Sequence, residues 1–229
     1  MFQIKNLCKS FYSNNNEQVV LDSVSLSIQR QSFTAISGPS GSGKSTLLSI
    51  LSGLDKSDSG SINYNDVDLT TLNQKQLATL RNQEFGFIFQ SPFFIPYKSL
   101  IENILLPMSY LPHQKSRKDE IELITQWAYH LADLVGLSNH LTKSPSLLSG
   151  GEQQRMAFAR ALILKPKVIF ADEPSASLDH KNADILLNLL KSETATGKTV
   201  ILVSHDQQAI GYADTVFELD KAGNDIVKI

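Results

Sequence analysis

Apolar and polar residues alternate from the start of the chain, where Met1-Phe2-Gln3-Ile4-Lys5 reads as a strand with one buried face. Val19-Val20-Leu21 and the alternating Val24-Ser25-Leu26-Ser27-Ile28 continue the pattern after a turn-forming tip, Ser13-Asn14-Asn15-Asn16-Glu17. Together they predict the edge of an antiparallel sheet. Asp58-Ser59-Gly60 makes a further turn into another expected strand, Ser61-Ile62-Asn63-Tyr64. Phe33-Thr34-Ala35-Ile36 reads as a buried strand that feeds directly into a glycine-rich loop and a helix from about Ser45.

The pattern then changes period. Pro92, Pro96, Pro107 and Pro112 punctuate the middle, and over 118–135 the residues Ile121, Ile124, Ala128, Leu131 and Leu134 recur at helical spacing. A helical insertion is expected there, with Trp127 packing beside the stripe. Near the end, Val168-Ile169-Phe170-Ala171 and Val200-Ile201-Leu202-Val203 are short and continuously apolar, as central parallel strands covered on both faces must be. A crossover helix between them would bury Ile185, Leu186, Leu189 and Leu190.

Composition narrows the class. A chain of 229 residues suits one compact domain with an inserted subdomain. Its net charge of -2, without a dense Lys/Arg run, lacks the electrostatic footprint of a nucleic-acid binder. The single cysteine, Cys8, follows Leu7 and is expected to be an inert buried thiol in a reducing compartment. No segment approaches the roughly 18 to 20 apolar residues that span a bilayer, so a membrane role would be borrowed from another chain.

Candidate chemistry begins at Gly38-Pro39-Ser40-Gly41-Ser42-Gly43-Lys44-Ser45-Thr46, a G-x-x-x-x-G-K-[ST] loop placed after an expected strand. Glycines let backbone N–H groups turn inward around phosphate oxygens, and the following helix adds its positive end. Lys44 would reach the outer phosphates and Ser45 would hold Mg²⁺. Asp172 ends a buried strand, where it can reach the metal shell, and Glu173 beside it can orient an attacking water. A second anion site is expected at Leu148-Ser149-Gly150-Gly151-Glu152, since Ser149 and both glycines precede a run of good helix formers. One P-loop already encloses a triphosphate on most sides. A remote second site is best explained if it closes over nucleotide held by another copy.

These residues, taken in order with Gln90 after Phe85-Gly86-Phe87-Ile88-Phe89, Ala176-Ser177-Leu178-Asp179, and His205 after the strand at 200–203, make the sequence resemble the ABC ATPase family. The resemblance implies an α/β fold: a P-loop NTPase (RecA-like) core with an antiparallel β subdomain and an inserted helical subdomain. The single ABC ATPase domain would span 1–229, with the core and β subdomain at 1–90 and 165–229 and the helical subdomain at 91–164. It further implies ATP and Mg²⁺ as ligands and a head-to-tail homodimer formed on ATP binding. Gln90 would contact Mg²⁺ and sense a membrane partner, Asp179 would bridge the dimer, His205 would contact the γ-phosphate, and Phe11 would stack on adenine, with Tyr12 as the rival. Lys44, Gln90, Glu173 and His205 would then be the catalytic set.

Gly53-Leu54-Asp55, the 80–90 segment and Glu102-Asn103-Ile104-Leu105-Leu106-Pro107 are similar to the branch of lipoprotein-releasing (LolD-like), macrolide-exporting (MacB-like) and peptide-antibiotic resistance ATPases. That branch implies a cytoplasmic chain held peripherally on the inner face of the plasma (inner) membrane by a separate transmembrane permease, a periplasmic or extracellular accessory protein reached through the permease, and export or extraction of a lipoprotein, peptide or drug-like substrate. The alternative it leaves is an ATP-dependent regulatory module acting on a membrane partner without transport. The segment 91–100 departs from the branch in lacking its usual Asn-Leu-Leu-Pro run.

Overall fold

The computed structural model describes residues 1–13, 16–111, 118–220 and 226–229. The tip at 14–15 and Pro112 lie outside them. Two sheets carry the chain. The first is antiparallel in the order β2-β1-β4-β5, built from β1 (Phe2–Ser13), β2 (Asn16–Ile28), β4 (Ser59–Tyr64) and β5 (Val67–Asp68). The second has the order β10-β9-β3-β8-β7-β6, from β3 (Phe33–Ser37), β6 (Phe85–Ile88), β7 (Val168–Asp172), β8 (Thr199–Val203), β9 (Thr215–Leu219) and β10 (Ile226–Lys228). Its pairings are parallel except for β10 against β9. Seven α-helices and four short 3-10 turns complete the described fold, the α-helices being α1 (Lys44–Leu51), α2 (Gln74–Glu84), α3 (Leu100–Ile104), α4 (Lys118–Leu134), α5 (Gly150–Leu162), α6 (His180–Ala195) and α7 (Gln207–Ile210).

The continuous apolar runs follow from this layering. In β3, β7 and β8, alternate residues supply opposite cores: Phe33, Ala35, Ile169, Ala171, Val200 and Leu202 pack with α3 to α6, whereas Ile36, Val168, Phe170, Ile201 and Val203 pack with α1 and the antiparallel sheet. A strand buried on both faces has no polar side to show. The parallel strands therefore point their C-terminal ends at one edge of the sheet, where ligands bind in open α/β folds.

Four expectations about burial are corrected. Cys8 is only half-buried, because β1 carries a bulge at Asn6 (φ 48) that shifts the alternation and turns Leu7 inward in its place. Ile121 and Leu134 on α4 are exposed, and the buried stripe runs instead through Ala128, Leu131, Ala132 and Val135. On α6 Ile185 is exposed, while Ala183, Leu186, Leu187 and Leu190 face the sheet. The covered arc is set by the neighbours, α3 and α5 for α4 and β8 and α5 for α6, which the sequence period does not place. Trp127 packs as expected, with its Nε1 donating to Leu162 O at 3.3 Å.

Candidate functional site

The loop of residues 38–43 lies at the C-terminal end of β3 and leads into α1. Gly43, at φ 95, passes so close to β2 that a Cβ there would sit 2.8 Å from Val20 O. Gly38, at φ 145, would bring a Cβ to 2.3 Å from Leu219 O. Larger residues at either position would push the loop off both strands. Ser40 and Gly41 are exposed at the rim, Pro39 and Thr46 are half-buried, and Ser42 lies buried with its Oγ unpaired among the described residues. Lys44 is 7% exposed and donates to Gly38 O at 2.9 Å and Pro39 O at 2.8 Å. The loop is thus a concave cradle with an ammonium held at its mouth. The first-turn N–H groups of α1 have no acceptor within the helix. Unpaired donors and a fixed cation suit a polyphosphate.

Beside the cradle, Ser45 Oγ donates to Asp172 Oδ1 at 2.9 Å. A hydroxyl and a carboxylate in contact form a hard-oxygen donor pair of the kind Mg²⁺ takes. Burial pushes the Asp172 carboxyl above its ordinary value; the Ser45 hydrogen bond and Lys44 oppose the shift, and the charge of Glu173 adds to it.

Glu173 follows in a left-handed backbone conformation, φ 44, uncommon for a residue with a side chain. Its N–H donates to Val203 O at 2.9 Å, which ties the residue to the end of β8. Its carboxylate is held by Ser204 Oγ at 3.1 Å and lies 2.6 Å from His205 Nδ1. Gln90 sits just past β6 with an exposed side chain, and its carbonyl accepts from Gln154 Nε2 at 2.8 Å. Gln154, on α5, also reaches Phe89 O at 3.1 Å and is buried. It thus couples the strand end carrying Gln90 to α5. Sequence reasoning missed it, although a Gln one turn from Gly151 on the buried face of α5 is a readable signal.

A second group of residues lies where α5 and α6 begin. Ser149 caps α5 in a reciprocal box: Ser149 N and Oγ donate to Glu152 Oε2 at 2.8 and 2.7 Å, and Glu152 N returns to Ser149 Oγ at 3.4 Å. His140 Nδ1 lies 3.3 Å from the other carboxylate oxygen, a neighbour the sequence gave no sign of. Gly150 is open to solvent and Gly151 packs against Asn182. Asp179 caps α6 through Asn182 N at 2.9 Å. Among the described residues no hydrogen bond or ion pair joins Ser149 or Asp179 to residues 38–46. Phe11 is half-exposed, with Lys9 Nζ 5.0 Å from its ring centroid, whereas the Tyr12 hydroxyl is engaged by Glu17 at 3.1 Å.

A parallel sheet with a phosphate cradle after β3 and acids after β7 defines a P-loop nucleoside triphosphatase. A profile described as "ABC transporter" matches residues 21–176, and the chain belongs to that family. It is 38% identical over 221 residues to an uncharacterized ABC transporter ATP-binding protein, YvrO of Bacillus subtilis (strain 168), covering 96% of this chain and 94% of that one. It is 41% identical over 196 residues to the lipoprotein-releasing system ATP-binding protein LolD 1 of Chlorobium chlorochromatii (strain CaD3), covering 85% of this chain and 78% of the relative. Against the macrolide export ATP-binding/permease protein MacB of Pasteurella multocida (strain Pm70) identity is 36%, over 96% of this chain but only 33% of MacB. The chain thus spans about a third of MacB's length. Among solved structures, a dimeric post-hydrolysis state of the ATP-binding cassette MJ0796 bound to ADP and Pi superposes with a TM-score of 0.89, at 33% identity, over 100% of this chain and 98% of that one. The protein is accordingly an ATP-hydrolysing cassette of an ABC transporter, similar to LolD and MacB.

Proposed function

We propose that two copies close head to tail over two ATP molecules and drive a separate membrane permease that exports or extracts a lipoprotein, peptide or drug-like substrate. One observation carries the reading. The phosphate cradle at 38–46 and the exposed helix end at Ser149-Gly150 are two anion-binding features of one chain with no bond between them. A second chain brings such an end over the open side of the cradle. That MJ0796 forms a dimer bound to ADP and Pi supports the pairing of two copies.

Within each site, Lys44 binds the outer phosphates and loop N–H groups orient them. Ser45, Asp172 and Gln90 would hold Mg²⁺, whose charge would offset that of the phosphate oxygens. Glu173 accepts the proton of the attacking water. His205, hydrogen-bonded to Glu173, keeps that carboxylate aimed and meets the γ-phosphate. Ser149, Gly150, Gly151 and Asp179 complete the partner's site, and Phe11 stacks on adenine with Lys9 against its ring.

The domain reading belongs to the same proposal: 1–90 and 165–229 as core, 91–164 as the helical arm. Between them runs a groove of about 690 Å³, lined in part by Phe89, Pro107, Tyr110 and Arg160, with Phe89 and Tyr110 exposed. An aromatic-lined groove beside Gln90 suits a helix of the permease. No described helix is long and apolar enough to cross a membrane, which leaves the spanning part to that partner. The chain would then work on the cytoplasmic face of the inner membrane, with an accessory protein reached through the permease. Purification from membranes with the bound permease, followed by ATPase and substrate movement in vesicles, tests this. A partner that stimulates ATPase while nothing moves would replace transport by regulation.

A further inference from the structure

Asn182, in the first turn of α6, touches both partner-facing elements at once. Its backbone N–H donates to Asp179 Oδ1 at 2.9 Å and its Nδ2 to Asp179 Oδ2 at 2.8 Å. Its Oδ1 accepts from Arg155 Nη1 at 2.7 Å, and Arg155 Nε continues to Val135 O at 3.0 Å. Gly151 packs against the same amide, so closely that a Cβ there would stand 2.7 Å from Asn182 Cγ and Oδ1. One side chain therefore spans from the turn bearing Asp179 to the helix that begins at Gly150.

The chemistry singles out an amide. The position needs a donor toward a carboxylate on one side and an acceptor toward a guanidinium on the other, within one short side chain. Aspartate supplies the acceptor alone, and an aliphatic residue supplies neither. Both bonds involve a charged partner, which makes them the stronger kind.

We propose that Asn182 is a positioning residue that binds the Asp179 turn and the Ser149 helix end into one rigid unit, so that both reach the partner's nucleotide together. The proposal rests on the trans-completed site argued above. Asn182 itself contacts no nucleotide; it acts through Asp179 and α5. Holding the two elements in register within the monomer removes an ordering cost from dimer closure.

The test uses the full chain with Glu173→Gln as common background. It follows ATP-driven dimerisation by sedimentation velocity, ATP binding to the monomer by calorimetry without Mg²⁺, and the melting temperature. Asn182→Ala is expected to weaken dimerisation about tenfold or more with monomer ATP affinity unchanged. Asn182→Asp keeps the main-chain N–H and the acceptor for Arg155 but sets a second carboxylate against Asp179, and should show the same loss. Should Asn182→Ala unfold, Asn182→Asp decides alone. Variants that dimerise like their parent overturn the proposal, and so does a parallel fall in monomer ATP binding, which marks a merely structural role. A parent that never dimerises with ATP refutes the trans-site reading itself and this inference with it. A dimerising parent with indifferent variants refutes only the role of Asn182.

Discussion

Glu173 Oε1 and His205 Nδ1 stand 2.6 Å apart, and Ser204 Oγ holds the second oxygen of the same carboxylate at 3.1 Å. The carboxylate is therefore oriented by two neighbours at the end of β8 and anchored by a main-chain bond to Val203 O. A group fixed in this way can take a proton from water without first searching for a rotamer.

Glu173→Gln is expected to keep ATP binding while turnover falls by about 10² to 10⁴, the usual worth of a general base. Closed dimer should accumulate in gel filtration with Mg²⁺-ATP. Phosphate release at the parent rate would remove Glu173 from the role.

Lys44→Ala removes the ammonium that Gly38 O and Pro39 O hold at the cradle. Charge-assisted contacts are worth about 1.5 to 3 kcal/mol, so nucleotide affinity should drop on the order of 10- to 100-fold in calorimetry. Undiminished binding would contradict the assignment of residues 38–46.

Ser149→Arg fills the open helix end with a long cation. In mixed dimers carrying one altered chain, hydrolysis should fail at the cradle facing the arginine and persist at the other, leaving about half of the activity if the two sites act independently. Mixed dimers with unimpaired hydrolysis at the cradle facing the arginine would argue against completion in trans.

The Ser149–Glu152 box also carries a pH signature. Hydrogen bonds from Ser149 Oγ and then Ser149 N hold the Glu152 carboxyl below its ordinary value, with His140 and Arg155 adding to the shift and partial burial opposing it. A depressed folded-state pKa contributes stability that is full above the unfolded value, about 4.3, and is lost as pH falls through the folded value. Glu152→Gln can keep the box geometry but has no charge to lose. The melting-temperature gap between parent and variant should thus shrink on acidification below the glutamate range. A gap that does not change with pH would mean that the carboxylate charge contributes nothing there.

How much could be read in advance differed from one feature to the next. Residues 38–46 announce themselves because the geometry they need is written in local residue types: glycine where φ is positive, lysine and serine where the helix opens. The strands β3, β7 and β8 were legible for a similar reason, since burial on both faces leaves no polar alternation to confuse them. Cys8 was misread because an irregularity in β1 before Leu7 shifts the alternation there, and a bulge leaves no mark in a hydropathy pattern. Ile121, Leu134 and Ile185 were misread because a helical period gives the width of an apolar stripe but not which part of it a neighbour covers.

By itself, then, the amino-acid order determined the elements, the phosphate loop and the residue types able to do the chemistry, because those depend on contacts within a few positions along the chain. Tertiary structure alone decided which of them meet. It joined Ser45 to Asp172 across 127 positions, Glu173 to His205 across 32, and Gln154 to Gln90 across 64. Among the described residues it also left Ser149 and Asp179 without a bond to the cradle, and it tied Asp179 to α5 through Asn182 and Arg155. Such pairings depend on how the sheet orders its strands and where each helix crosses it, and no local pattern encodes that order.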